Sequence, residues 1–214
     1  MKKRIRASRL GCRCEKRLWF YANGFEVPVS EEVQRIFDIG KALEPVVVKW
    51  LRESGREVYY NEEGREGEED FVLEVCGGEI VGRFDVIVDR EVLMDIKTCG
   101  DFLFESLLMG EVPYEYKVQV NTYFFGLKLA GRDDIKELID RIKKVGIIGV
   151  HKASGKLAEV VFDPDVSLFS EALGRACRVF TVQDPQSLQE HKDECARCEF
   201  KNLCRSEGGY IYPY

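Results

Sequence analysis

Residues 82–100 read GRFDVIVDREVLMDIKTCG, and their pattern decides the fold. Two β-rich runs, EIVGRFDVIVD at 79–89 and VLMDIKT at 92–98, are joined only by Arg90-Glu91, short enough for a hairpin-like turn. Asp95 and Lys97 stand two apart in the second run, so both side chains leave one face of a strand. Asp85 lies in the first run, where hairpin pairing would bring it beside Asp95. Two carboxylates converging at strand ends suit Mg²⁺ or Mn²⁺, which take oxygen ligands and keep places for water and a substrate phosphate. A lysine beside such an ion can orient or help deprotonate an attacking water, so the set points to metal-assisted phosphodiester hydrolysis. A solitary Asp-x-Lys is a common sequence, however, and an aspartate near a strand end often only accepts hydrogen bonds at a turn.

Outward from this stretch, FVLEV at 71–75 is a further strand, with Gly77-Gly78 as its turn. Residues 31–54 carry apolar positions at helical spacing behind Ser30 as N-cap, and Glu31 and Glu32 suit the first turn. Pro45 inside that pattern predicts a kink or two helical pieces. The acidic NEEGREGEED at 61–70 reads as a loop. A second helix covers 114–130 and ends at Gly131. VGIIGVHK and KLAEVVF flank ASG as one more hairpin, and a third helix follows over 165–180. Helices and strands in this order predict a single α/β core with a mixed sheet, not two separate domains.

The 214 residues are 45% apolar and 33% charged, the composition of a soluble globular protein. No apolar run approaches the ~18–20 residues of a membrane span, and ASRLGCRCEKRLW after the basic MKKRIR offers no apolar core for a secretory signal. The net charge of −6 is unevenly spread. Eight basic side chains stand against one acid in residues 1–20, and seven acids gather in residues 57–70. A basic N-terminal face can meet phosphates even on an acidic protein, although a solvated charge run reads the same way.

Eight cysteines in a chain of this size point to metal binding and to a reducing, cytoplasmic compartment. DECARCEFKNLC at 193–204 holds Cys195, Cys198 and Cys204, and three thiolates leave a tetrahedral site one ligand short. Zn²⁺ and a [4Fe–4S] cluster both accept four thiolates; the Cys-x2-Cys spacing by itself favours zinc, for which His191 could also serve. Cys76, Cys99 and Cys177 are scattered among apolar residues and read as packing thiols.

Taken in order, GKALE at 40–44, GRFD at 82–85, DIK at 95–97 and QVNTY at 119–123 resemble the PD-(D/E)xK nucleases of the RecB type. With the cysteines, the resemblance narrows to their iron–sulfur members. Those include the small CRISPR-adaptation exonucleases, their virus-borne relatives and the AddB-type helicase–nuclease domains. It covers about residues 8–204 and implies a restriction-endonuclease-like mixed central sheet flanked by helices. One nuclease domain would span 1–214, with its core at about 30–165 and a four-cysteine iron–sulfur subdomain built from about 8–24 and 166–214.

By position, the resemblance implies that Glu44, Asp85, Asp95 and Ile96 bind Mg²⁺ or Mn²⁺ and that Lys97 positions the water. Gln119 and Tyr123 would contact DNA or support the site. It also puts a fourth cysteine before the core, where Cys14 fits better than Cys12. Cys14, Cys195, Cys198 and Cys204 would then hold a [4Fe–4S] cluster, with Arg13, Lys16 and Arg17 near the DNA. The pattern departs from the family at Glu44, where many members have histidine, and at Asp95, where glutamate is commoner. The implied function is a metal-dependent DNA exonuclease acting on single strands or duplex ends in CRISPR adaptation and antiviral defence, viral recombination or repair. Its partners would be DNA and integrase-type CRISPR or viral recombination proteins. A non-catalytic DNA-binding subunit that keeps fold and cluster is the alternative, and a zinc-stabilised regulatory protein is a third.

Overall fold

A computed structural model of the chain describes residues 2–61 and 68–205, so most of the acidic 61–70 loop and the end of the 166–214 segment lie outside the described residues. In chain order the strands are β1 (Lys3–Arg6), β2 (Val58–Tyr60), β3 (Phe71–Val75), β4 (Gly78–Gly82), β5 (Val86–Val88), β6 (Val92–Cys99), β7 (Lys144–His151) and β8 (Leu157–Phe162). The helices are α1 (Glu15–Ala22), α2 (Glu31–Glu53), α3 (Asp101–Leu108), α4 (Tyr114–Ala130), α5 (Lys136–Arg141), α6 (Val166–Thr181), α7 (Lys192–Cys195) and α8 (Lys201–Arg205).

β6 is the middle strand of a sheet ordered β2-β5-β6-β7-β8, in which only β6 and β7 run parallel. Parallel neighbours need a long crossover, and α3, α4 and α5 supply it. Side-chain alternation divides the strand between two cores. Leu93 and Cys99 face the larger core, with Asp95 and Lys97 between them at the same parity, while Met94 and Ile96 face the smaller core. On β7, Val145 and Ile147 join the larger core, whereas Ile148 and Val150 join the smaller.

The expected single sheet is corrected to two. Residues 79–89, read as one run, break after Gly82: β4 belongs to a three-stranded sheet ordered β1-β4-β3, and β5 to the central sheet. Arg83, Phe84 and Asp85 cross between them outside either sheet, and the Asp85 carbonyl accepts the Asn61 N–H at 3.0 Å. The hairpin from β5 to β6 forms as expected, with Val86 opposite Met94. Its turn places Asp89 and Arg90 at φ of 51° and 61°, a left-handed conformation that costs side chains other than glycine. Arg56 to Asp89 at 2.5 Å and Arg90 to Glu57 at 2.6 Å hold the turn in that shape.

Ser30 caps α2 by accepting the Val33 N–H at 3.4 Å. The helix runs through Pro45 as one element, not two pieces, because Val47, Val48 and Leu51 in the turns beyond it are anchored in the smaller core. Nothing buries the other end: residues 31–39 are exposed on every side, so the first half of α2 projects. No helix among the described residues is long and apolar enough to cross a membrane.

The small sheet presses against α4 through Phe71, whose ring would be only 2.3 Å from a Cβ at Gly82 and 2.5 Å from one at Gly126. Its other anchor is covalent. Cys76 and Cys177, expected as packing thiols, form a disulfide between the β3–β4 turn and α6. The turn, with Cys76 at φ 49° and Gly77 at φ 80°, lies so flat on α6 that a Cβ at Gly78 would meet the Phe180 ring at 2.5 Å. Proximity in the fold therefore pairs two thiols that are 101 residues apart, and two of the eight cysteines leave the pool of metal ligands. Cys99, by contrast, is a buried thiol, as expected. Replacing Cys76 and Cys177 together by serine is expected to lower unfolding free energy by about 2–5 kcal/mol, as read by denaturant titration without reductant.

Candidate active site

Asp95 and Lys97 emerge from β6 toward α4. Lys97 Nζ lies 2.6 Å from Asp95 Oδ2 and 5.0 Å from the centre of the Tyr116 ring. Asp95 is 2% exposed. Gln119, on α4, donates through Nε2 to Asp95 Oδ1 at 2.8 Å and to the Tyr123 hydroxyl at 2.7 Å. Both α4 residues are buried, and their hydrogen bonds orient Asp95. Burial first, and then the Asp95 and Asp85 charges, push the Tyr123 phenol up and keep it neutral.

Asp85 sits one residue before β5. Extending the Val86–Met94 register places it across from Asp95, and its Oδ2 accepts the Ile96 N–H at 2.7 Å. Its carboxyl is held well above the usual carboxylate range by burial, by Asp95 and by Glu44, against opposing pulls from Lys97 and the Ile96 N–H. Glu44 is half-buried on α2, which passes the end of β6 so closely that a Cβ at Gly40 would stand 3.6 Å from Thr98 Oγ1. Burial alone would lower the Lys97 pKa, but Asp95 and Asp85 outweigh it and hold the side chain as an ammonium. All six side chains predicted for the site, Glu44, Asp85, Asp95, Lys97, Gln119 and Tyr123, line one cleft of about 570 Å³, as does Ile96.

Among the described residues no three His, Cys, Asp or Glu side chains are already arranged to hold a metal ion. The donor set nevertheless fits a hard cation. Three carboxylates crowd one another's charge, and Asp95 Oδ2 is buried beside Lys97 without a well-aligned hydrogen-bond donor.

Asp85 owes its place to residues the sequence did not single out. Asp70, the last acid of the run read as a loop, is 2% exposed and pairs with Arg132 at 3.0 Å. Its Oδ2 accepts from Asn61 Nδ2 at 2.5 Å and from the Phe84 N–H at 3.1 Å. Asn61 Nδ2 also donates to the Phe84 carbonyl at 2.9 Å, so both backbone groups of the residue before Asp85 are gripped. The signal available was the acid next to the first strand residue, hidden among six other acids.

The second group expected from the sequence also comes together. Cys14, Cys195, Cys198 and Cys204 line one cavity of about 120 Å³, joining the two ends of the chain. Neither Cys12 nor His191 lines it. Burial and a 3.0 Å hydrogen bond to Glu194 hold Cys12 as a neutral thiol. Burial raises Cys198 and Cys204, while Arg17 and Lys16 respectively favour their thiolates. The four sulfurs converge on one cavity, and as thiolates they would suit Zn²⁺ or a [4Fe–4S] cluster.

Arg17 is thereby occupied, pairing with Glu199 at 2.7 Å, as is Lys16, which is 9% exposed and pairs with Glu190 at 2.6 Å. Arg13 lies over the Tyr114 ring at 4.1 Å. The basic cluster expected to face DNA thus spends Lys16 and Arg17 on the cysteine subdomain. Trp19 and Phe20 are fully buried, as core packing requires.

No family model matches the sequence, and no curated protein matches it. Solved structures do. The crystal structure of SSO0001 is similar over 98% of this chain and 89% of its own, with a TM-score of 0.61 at 18% identity. The alkaline exonuclease LHK-Exo from Laribacter hongkongensis matches over 94% and 92%, with a TM-score of 0.54 at 14% identity. A structure of LHK-Exo in complex with dAMP gives 0.53 at 16% identity, covering 82% and 85%. The chain therefore shares the fold of alkaline exonucleases at low sequence identity.

With its folded pKa above the unfolded one, Asp85 holds its proton more tightly in the folded chain. The associated stability is complete below the ordinary carboxylate pKa of about 4 and is lost as pH rises through the folded value. Asp85→Asn keeps an acceptor for the Ile96 N–H and removes the charge. The metal-free variant is expected to melt above wild type at neutral pH, with the gap closing toward about pH 4 in calorimetric scans.

Proposed function

We propose that this chain is a metal-dependent DNA exonuclease, hydrolysing phosphodiester bonds of single strands or duplex ends. One observation carries the reading: Asp85, Asp95 and Lys97 converge in one cleft, with Glu44 near enough to raise Asp85 and Gln119 fixing Asp95. Like charges at such density are costly for a protein that only binds, and they make sense around a cation. The exonuclease fold supports the same reading, and DNA as substrate is consistent with it.

In this proposal Glu44, Asp85, Asp95 and Ile96 hold Mg²⁺ or Mn²⁺. Such an ion, when bound, supplies positive charge to a phosphoryl oxygen and lowers the pKa of water. The chain's own part is to place and hold protons. Lys97, kept cationic by its carboxylate neighbours, donates hydrogen bonds into the cleft and orients water or a phosphate oxygen. Gln119 fixes which oxygen of Asp95 faces the cleft, leaving Oδ2 toward Lys97. Cys14, Cys195, Cys198 and Cys204 would hold a [4Fe–4S] cluster that ties the chain ends around the core, a structural role. CRISPR adaptation, viral recombination and repair are the settings proposed for such an enzyme, with integrase-type or recombination proteins as its partners.

The test uses anaerobically purified protein and end-labelled single-stranded DNA with Mn²⁺ or EDTA. Wild type is expected to degrade the strand only with Mn²⁺. Lys97→Ala is expected to cut at least about 100-fold more slowly while still binding DNA. Cleavage retained in that variant would sink the site assignment, and DNA binding without cleavage by wild type would make the chain a non-catalytic subunit.

For the cysteine site, Cys198→Ser is expected to lower both the iron and acid-labile sulfide content and the anaerobic melting temperature. Zinc in place of iron, or a variant that melts like wild type, would count against the cluster.

A further inference from the structure

Most of the N-terminal cations are engaged within the fold. Lys2 pairs with Glu74 and Glu79, and Arg4 with Glu79. Lys3 donates to the carbonyls of Val179, Phe180 and Val182 at the end of α6, where a cation meets the helix dipole. Arg6 differs: it is exposed, lines the cleft of Asp85 and Asp95 and has no ion pair among the described residues. Lys41 on α2 shares all three properties.

The projecting half of α2 adds an apolar wall to the same cleft. Ile36 is 53% exposed and Phe37 55% exposed, yet both line the cleft that holds Asp95. Large apolar side chains left in water at a polar site mark a surface that something covers. Along one face of α2 the order is Phe37 and Ile36, then Gly40 and Lys41, then Glu44 beside the carboxylates. Phe37 is seven residues from Glu44, roughly 10 Å along the axis, no more than about three stacked nucleotide steps.

We infer that this half of α2 is a single-strand subsite, in which Phe37 and Ile36 receive one unpaired nucleobase and Arg6 and Lys41 take neighbouring phosphates. The inference rests on the nuclease reading and adds the form of its substrate. An aromatic ring and exposed cations beside a phosphodiester-cleaving cleft match the two chemistries of a polynucleotide, its π-faces and its charged backbone. A base within a duplex has both faces covered by its neighbours and cannot stack on this wall. The subsite therefore selects unpaired strand and sets it relative to Asp85 and Asp95. Phe37 is a positioning residue, and its exposure leaves the core untouched when it is changed.

The experiment is fluorescence anisotropy in EDTA, with a labelled oligothymidylate and a set of strands carrying one abasic nucleotide at successive positions. Phe37→Ala is expected to weaken binding of the intact strand about 5- to 150-fold, and Phe37→Trp to keep it. At one abasic position the losses from strand and variant should not add, the signature of a shared contact. Arg6→Ala and Lys41→Ala should each reduce the slope of log affinity against log salt by about 0.7. Mn²⁺-dependent cleavage by wild type is measured in parallel. If wild type cleaves while Phe37→Ala binds intact and abasic strands as wild type does, the subsite is overturned, the nuclease reading stands and the apolar face belongs to a protein partner. A wild type that does not bind single-stranded DNA and cleaves neither single strands nor duplex ends with Mn²⁺ overturns both.

Discussion

A buried ion pair between Asp70 and Arg132 fixes the place where the chain changes sheets. The buried Asp70 carboxylate could not be left there unpaired at small cost, whereas the half-buried Arg132 also pairs with Asp134 at 2.7 Å. Asn61 joins them, and the three together hold the two backbone groups of Phe84 that no strand satisfies. The crossing at 83–85 is thus an ordered piece of irregular chain, and Asp85 comes off its end pointing into the cleft. The central sheet delivers Asp95 and Lys97 by strand alternation alone. The third member of the set depends on this polar knot, so the site is only as well defined as the loop that Asp70 grips.

Charge is divided among separate tasks across the molecule. Asp95 and Glu44 raise the cost of a charge on Asp85, while Lys97, Arg6, Lys41 and Arg83 bring positive charge to the same cleft. At the other end of the chain, Lys16 and Arg17 lie next to sulfur and carboxylate. A basic run in a sequence therefore says little about where its charges end up. Of the N-terminal group, Arg6 remains turned toward the cleft while its neighbours on β1 are tied down.

The site was legible because its spacing is physically constrained. Asp95 and Lys97 had to share a face, Gln119 and Tyr123 had to share a helix face, and an adjoining strand had to pass Asp85 across from Asp95. Three thiols close in sequence pointed to a fourth ligand, and the family resemblance directed that search to Cys14, which does line the same cavity. What the sequence hid depends on contacts between distant segments. The break between β4 and β5 leaves no trace in hydrophobicity, since residues 79–89 read equally well as one strand. Asp70 looked like its solvated neighbours until Arg132, 62 residues on, covered it. The Cys76–Cys177 bond likewise needs a turn and a helix to meet. Phe37 sat in an amphipathic pattern that predicts burial, and only the fold reveals that nothing lies against it.

The cavity lined by Cys14, Cys195, Cys198 and Cys204 gives the molecule a schedule as well as a shape. Synthesis at about 5–20 residues per second puts Cys14 in solution roughly 10–40 s before Cys204 follows it. Every residue that lines the cleft of Asp85 and Asp95 is made by Tyr123, within that interval. The cysteine cavity must wait, because most of its wall, with three of its four cysteines, arrives last. Its first thiol waits beside Cys12, while Cys76 and then Cys177 emerge. The chain must keep the early thiol from the wrong sulfur until the others exist.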